Sequence, residues 1–220
     1  MGNLFSIESP FFHWLSKMAD RMILNILFVI SSIPVITIGA AITALYSVTG
    51  RINRDEGHVW KDYWRAFRSN FKQATAIWAV LLVSGLLIGF GVLFYVKTNQ
   101  SGSVLGTLIV AVLLFLWAVT FAWAFPLQSR FDNTIRNTLK NALLFGLMNF
   151  PKSVVVAFTN LIPLFAFVLF PTAFLYLLFI WLMLWFAVAA AITLNIFKKQ
   201  FEELEKMSKG ERVQITEEGS

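Results

Sequence analysis

The sequence predicts an all-α integral membrane protein with about five transmembrane helices and two cytoplasmic interfacial amphipathic helices. Of its 220 residues, 58% are hydrophobic and only 14% are charged, whereas a soluble domain is about half apolar and about a quarter charged. The mean hydropathy is +0.71. All 18 lysines and arginines lie outside the long apolar runs. This separation indicates that lipid is the solvent for most of the chain.

Five apolar runs are candidates for transmembrane helices. A helix rises about 1.5 Å per residue, so crossing a bilayer takes about 20 apolar residues. The runs are too long and too continuously apolar for the strands of a barrel. They cover residues 22–47, 74–96, 104–127, 153–170 and 172–195. We expect one transmembrane domain over residues 1–200 and a charged cytoplasmic tail over residues 201–220.

The first run contains a proline near its middle. Pro34 interrupts residues 22–47, and Lys17 and Arg21 precede the run. Because membrane helices tolerate proline, we expect a single kinked span. The alternative is a broken or re-entrant element whose N-terminal end lies on the inside.

The basic residues alternate along the chain. Six lie between the first two runs, one between the second and third, four between the third and fourth, none between the last two, and five after the fifth. Segments rich in lysine and arginine stay in the cytoplasm. With five spans, this predicts a cytoplasmic C-terminus and an extracellular N-terminus.

The first amphipathic helix is predicted over residues 59–72. Aromatic and basic residues recur there at helical spacing, which suits the headgroup boundary of an anionic leaflet. Its lipid bilayer contacts are expected from Trp60, Trp64, Arg65, Phe67 and Arg68. A topology anchor explains this composition, and binding of a partner is the alternative.

The second amphipathic helix is predicted over residues 134–150, with Asp132 or Asn133 as its cap. One stripe is apolar: Ile135, Leu139, Leu143 and Leu147. A polar stripe is a candidate docking surface for a soluble partner, or else a solvated face of the helix. It comprises Asp132, Asn133, Thr134, Asn137, Lys140 and Asn141.

A few residues inside the runs could line a solute path or serve packing alone. They are Ser31, Ser32, Pro34 and Asn160. An interhelical hydrogen bond and close helix packing are the simpler interpretations. Gly85 and Gly89 form a G-x-x-x-G pattern, which permits either self-association or packing within the chain.

The sequence offers little for chemistry. It has no cysteine and two histidines, so neither a thiolate nor a histidine-rich metal site is expected. It contains no phosphate-binding loop, nucleophile elbow or zinc-protease pattern. We therefore expect no catalytic residue, cofactor or metal, and no enzyme activity. The net charge of +6 flanks the spans, so nucleic-acid binding is not indicated.

Several separated motifs resemble those of the YesL-like family of bacterial membrane proteins. They occupy residues 9–20, 32–46, 71–78, 131–142 and 149–152, with sequences such as SPFFHWLSKMAD and FDNTIRNTLKNA. The resemblance extends from about residue 3 to residue 200. It implies a bacterial cell membrane location, a domain of unknown function and an association with carbohydrate ABC importers.

Two functional hypotheses follow. The first is a non-enzymatic accessory or assembly subunit associated with a bacterial carbohydrate ABC importer. The second is a stand-alone channel or facilitator for a small neutral solute, with the first run lining the path.

Overall fold

The computed structural model describes residues 10–97 and 104–206, and these ranges are helical without a strand. The all-α class is therefore confirmed. Of the predicted tail, residues 207–220 lie outside the described part of the chain. The elements in order are α1 Pro10–Ser32, a 3-10 turn Val35–Thr37, α2 Ile38–Asn53, α3 Val59–Lys97, α4 Val104–Gln128, α5 Ile135–Met148, α6 Phe150–Leu169, α7 Pro171–Tyr176, α8 Leu178–Ile180, a π-helical turn Trp181–Trp185 and α9 Phe186–Ile196. A last helix, α10, covers residues 198–206.

Four stretches of the described chain are long and apolar enough to cross a membrane. They are Val35–Asn53, Val59–Lys97, Val104–Gln128 and Leu178–Ile196. A fifth candidate is the pair Ile135–Met148 and Phe150–Asn160, which is bent by 108°. The chain thus has the helices of a multi-pass membrane protein, as the sequence predicted.

The first apolar run differs from the single kinked span that we expected. Residues 22–47 are divided between α1 and α2, with the break at Ile33 and Pro34. Proline lacks a backbone N–H and disfavours helix at the residue before it. The Thr37 hydroxyl donates to the Ser31 carbonyl oxygen at 2.6 Å, which satisfies one of the carbonyl groups that the end of α1 leaves open.

The two helices fold back into a hairpin with both ends together. Lys17 Nζ lies 3.0 Å from an Asp55 carboxylate oxygen, and Arg21 donates to the Asn53 side-chain oxygen at 3.3 Å. A single crossing over residues 22–47 would place Lys17 and Asp55 on opposite faces of the membrane. The single-span prediction puts residues 10–21 and the loop after α2 on opposite sides of the membrane. In the structure these two segments are in contact.

Helix α3 is continuous over 39 residues. The predicted interfacial helix 59–72 is consequently the first part of a longer rod rather than a separate element. No proline interrupts it and its first glycine is Gly85, so the helix has no local reason to stop. Helix α2 packs along α3, and Gly39 lies directly against the Ala74 carbonyl group and the Trp78 side chain, just beyond this first part.

The second part of α3 pairs with α4. The Trp117 indole N–H donates to the Leu81 carbonyl oxygen at 2.9 Å, and the same indole packs on Gly85. Gly85 therefore serves packing within the chain, whereas no other described residue lies within 4 Å of a methyl group built at Gly89. Large apolar side chains cover the outside of this helix pair and are exposed, as lipid-facing residues are.

Helix α5 packs along α4 through small residues. Thr138, Ala142 and Gly146 form its buried seam, and Gly146 lies against Val119 and Trp123. The predicted stripe Ile135, Leu139, Leu143 and Leu147 is instead half-buried or exposed. In a bilayer, large apolar side chains can face lipid while small ones let backbones approach.

The last helices close the bundle on α4. The Phe197 ring stacks on the Trp123 indole with centroids 3.7 Å apart, and Phe201 meets the same indole edge-on at 6.1 Å. Trp123, Phe197 and Phe201 are fully buried. Aromatic packing therefore ties α9 and α10 to the centre of the fold.

Candidate functional site

The basic segments of the chain meet at one end of the bundle. Gln128 donates to the Asn70 side-chain oxygen at 3.3 Å, and Gln73 donates to the Asn133 carbonyl oxygen. Arg130 pairs with Glu205 of α10 at 3.3 Å. These contacts join the first part of α3, the loop between α4 and α5, and α10. We call this region the polar end.

Arg130 lies where these elements converge. Its guanidinium is 4.6 Å above the Phe201 ring and a cation–π contact of this kind orients the charge. Burial lowers the pKa of Arg130, the charge of Arg54 adds to that lowering, and Glu205 opposes it. Arginine remains charged under all ordinary conditions. Arg130 thus acts as a fixed cation between the α4–α5 loop and the C-terminal helix.

The predicted docking stripe lies at this polar end, although its members differ in exposure. Thr134 is the N-cap of α5, in place of the predicted Asp132 or Asn133, and its hydroxyl accepts from the Asn137 backbone N–H at 3.3 Å. Asn133 and Asn141 are half-buried. The exposed members are Asp132, Thr134, Asn137 and Lys140.

A shallow groove runs beside the start of α5. It brings the end of the basic half of α3 next to the predicted docking stripe. It is lined by Lys72, Gln73, Asp132, Asn133, Thr134 and Ile135. Both signs of charge and two amides are therefore available to a partner on this surface.

The residues predicted for the membrane interface divide into two groups. Trp60, Arg65 and Arg68 are exposed, whereas Trp64 and Phe67 are half-buried and pack against the core. The first part of α3 is therefore both a packing element and a basic surface.

The predicted path residues are not brought together. Ser31 is buried and shares a hydrogen bond with the Tyr63 hydroxyl, while the buried Ser32 hydroxyl has no hydrogen-bond partner among residues 10–97 and 104–206. Pro34 marks the break after α1. Asn160 donates to the Val156 carbonyl oxygen of its own helix at 2.8 Å and lies elsewhere, at a separate cavity.

That cavity is about 210 Å³ in volume. Besides Asn160, Tyr46 is the polar side chain that borders it. The remaining lining is apolar and largely aromatic: Phe28, Ile42, Leu45, Phe121, Ala122, Phe125, Trp185, Phe186 and Ala190. Such a space suits a small molecule with much apolar surface and few polar groups.

An ion-pair cluster holds the start of α3. One Asp62 oxygen lies 3.1 Å from Arg51 and 3.3 Å from Arg65, and the other accepts from the His58 backbone N–H at 2.9 Å. Gly57, at φ +84°, lies directly against Asp62 and leaves no room for a side chain. This role of Asp62 is not among the sequence predictions; an acidic residue in the first turn of a helix was the available signal.

The described residues offer no evident metal site. Within 10–97 and 104–206, no group of three His, Cys, Asp or Glu side chains is placed to hold an ion.

Comparison with known families adds one finding. Residues 22–92 match the DUF624 family of proteins of unknown function. The DUF624 match covers most of the α1–α2 hairpin and most of α3, including Asn25, Ser31 and Asp62. The docking stripe on α5 and the cavity residue Asn160 lie outside the DUF624-matching segment. No curated protein and no solved structure matches the chain.

Proposed function

We propose that this chain is a non-enzymatic accessory or assembly subunit of a bacterial carbohydrate ABC importer, located in the cell membrane. The observation that carries the proposal is the exposed polar surface of Asp132, Asn137 and Lys140 at the start of α5. A soluble ATPase or the cytoplasmic loops of a permease pair are the partners that such a surface would meet. The resemblance to the YesL-like family supports the carbohydrate class.

The proposed orientation places the polar end in the cytoplasm, because that end collects the segments rich in lysine and arginine. The C-terminal helix α10 belongs to it through the Arg130–Glu205 pair. The start of α1 lies on the same face, since Lys17 contacts Asp55. This revises the extracellular N-terminal side that five separate spans would give.

Affinity purification tests the proposal. The tagged protein is extracted in mild detergent from its native membrane after growth on a polysaccharide, and its companions are identified by mass spectrometry. We expect permease or ATPase subunits of a sugar importer. We also expect the double variant Asn137→Ala, Lys140→Glu to lose them.

The control variant is Lys198→Glu, which removes an exposed cation from α10. It should retain the same companions. Purification of the unaltered protein without importer subunits contradicts the proposal, as does unchanged recovery with the α5 variant.

A facilitator for a small neutral solute is the second candidate, and the aromatic cavity favours it. Flux into proteoliposomes should then appear without any other protein. Asn160→Leu should reduce that flux because Asn160 lines the cavity, while Thr159→Val should not, because Thr159 is not among the lining residues. An absence of flux with the unaltered protein removes this candidate.

A further inference from the structure

We propose that the first part of α3 carries a binding site for the phosphate group of an anionic bilayer lipid. The site is an open groove on the outer face of the helix. It is lined by Trp60, Lys61, Trp64, Arg65, Arg68 and Ser69. We call it the basic groove. The inference does not depend on the function proposed above.

The basic groove concentrates positive charge on one face. Lys61, Arg65 and Arg68 follow one another at spacings of four and three residues, which places them side by side on a helix. All three are exposed. Their charge is available to an anion from outside.

The acidic neighbour does not cancel this charge. The Asp62 side chain is only 7% exposed and turns inward. Its carboxylate is shared between Arg51 and Arg65, so two guanidinium groups face one negative charge. The two guanidinium groups and the one carboxylate together carry a net positive charge beside the groove, which a phosphate group would neutralise.

Two tryptophans form the aromatic wall of the groove. Trp60 is 60% exposed, and its ring meets that of Trp64 edge-on with centroids 6.2 Å apart. Tryptophan is enriched at the headgroup level because its ring is apolar and its N–H is a donor. An indole beside cations therefore fits a lipid headgroup better than a fully solvated anion.

The height of the groove also favours a lipid. Helix α3 continues without a break from the groove into its apolar part, whose exposed side chains include Val80 and Leu87. Arg68 precedes Ala74, where the apolar run begins, by six residues, or about 9 Å of helix. The headgroup layer is roughly 5–8 Å thick, so an extended arginine side chain reaches it.

Native mass spectrometry of the purified full chain tests the site. The protein in detergent is titrated with phosphatidylglycerol and, separately, with phosphatidylcholine. We expect tighter binding of phosphatidylglycerol. The variant Lys61→Gln, Arg68→Gln should weaken that binding about 30-fold, from the usual contribution of two cations at an anionic surface, and it leaves the Asp62 ion pairs in place.

The matched control is Arg136→Gln, Lys140→Gln, which removes two exposed cations from α5. It should bind phosphatidylglycerol like the unaltered protein. Trp60→Ala is a second test at the aromatic wall, and it should also weaken binding. Thermal unfolding of each variant verifies that the fold is intact.

Three results would overturn the proposal. One is equal binding of the two lipids by the unaltered protein. Another is an equal loss of phosphatidylglycerol binding in both double variants, which would indicate a diffuse charge effect. The third is binding of inorganic phosphate with no measurable binding of either lipid, which would indicate a soluble anion as the ligand.

Discussion

The side-chain amide of Asn25 in α1 donates to the backbone carbonyl oxygen of Leu182 at 2.6 Å. Its oxygen accepts from the backbone N–H of Ala187 at 2.8 Å. Leu182 lies within the π-helical turn Trp181–Trp185 and Ala187 follows it, so the contact spans the point where the hydrogen-bond register of the helix changes. A fully buried side chain from the first helix thus enters the backbone ladder of the last apolar segment.

Replacing Asn25 should loosen this connection. Asn25→Leu keeps the approximate volume and leaves the Leu182 carbonyl and the buried Ala187 N–H without that partner. We expect a loss of about 1–3 kcal/mol of unfolding free energy, measured by thermal unfolding in detergent. Asn160→Leu is the control, because its amide bonds within its own helix. Equal losses in both variants contradict the role given to Asn25.

Close packing of α2 on α3 should depend on Gly39. A methyl group there meets the Ala74 backbone carbonyl, which has no flexible end that can move aside. We expect Gly39→Ala to destabilise the protein by about 1–3 kcal/mol. Gly89→Ala meets nothing within 4 Å and should be neutral or slightly stabilising, since alanine favours helix. Denaturation midpoints of the two variants, measured in the same detergent, test this predicted difference in stability.

The Asp62 cluster should matter more than an exposed ion pair. Asp62→Asn removes the charge that Arg51 and Arg65 share, and we expect a loss of about 1.5–3 kcal/mol, as for hydrogen bonds to charged groups. Glu56→Gln breaks only the exposed contact with Arg54 at 3.0 Å and should cost less than about 1 kcal/mol. A smaller effect at Asp62 than at Glu56 would argue against a structural role for the cluster.

The contact between the two ends of the α1–α2 hairpin should weaken at low pH. The Lys17 hydrogen bond lowers the pKa of Asp55, slight desolvation opposes it, and the charges of Lys17 and His13 lower it further. A carboxyl whose pKa is lowered on folding contributes stability above its unfolded pKa of about 3.9, and that stability is lost as the pH falls through the lower folded value. We expect the contact between the hairpin ends to loosen progressively as the pH falls from about 4 through that lower value, while Arg21 and Asn53 still join them.

Spin labels measure that separation. The chain contains no cysteine, so Ser16→Cys and Glu56→Cys accept labels without competition. The distance distribution should broaden as the pH falls. In an Asp55→Asn background it should be broad at every pH. A distribution in the unaltered background that stays narrow through acid would refute the electrostatic tie.

Single cysteines also test which ends share a face. Ser16→Cys, Glu56→Cys and Glu203→Cys should all resist a membrane-impermeant maleimide in intact cells and react after permeabilisation. Lys97→Cys, at the opposite end of α3, should react in intact cells. Labelling of position 16 without labelling of position 56 would restore the single-span arrangement of residues 22–47.

Some features of this fold can be predicted from local sequence, and others cannot. The absence of charge from 74–96 and 104–127 is enough to place these runs within α3 and α4, because hydrocarbon excludes ions. Pro34 is different. A proline in an apolar run either kinks or ends a helix, and the outcome here depends on contacts such as Lys17 with Asp55 and Arg21 with Asn53, which are distant in sequence.

The candidate site follows the same division. The exposure of Asn137 and Lys140 could be predicted from the polar stripe of α5. The seam of Thr138, Ala142 and Gly146 could not, because an amphipathic pattern assumes that water covers the outer face. The inward direction of the Asp62 side chain could not be predicted either, since charge spacing does not show which side of a helix packs against a neighbour.

The unbroken length of α3 has a mechanical consequence. Its 39 residues extend to about 58 Å, beyond the roughly 45 Å of a bilayer with its headgroups. Because α3 has no break at which to bend, we expect it to follow a change in bilayer thickness mainly by changing its tilt. Tilting lifts or lowers Trp60 and Arg68 relative to the membrane surface, together with the α1–α2 hairpin packed beside them. A change in membrane thickness would thus change the height of Trp60 and Arg68 relative to the membrane surface.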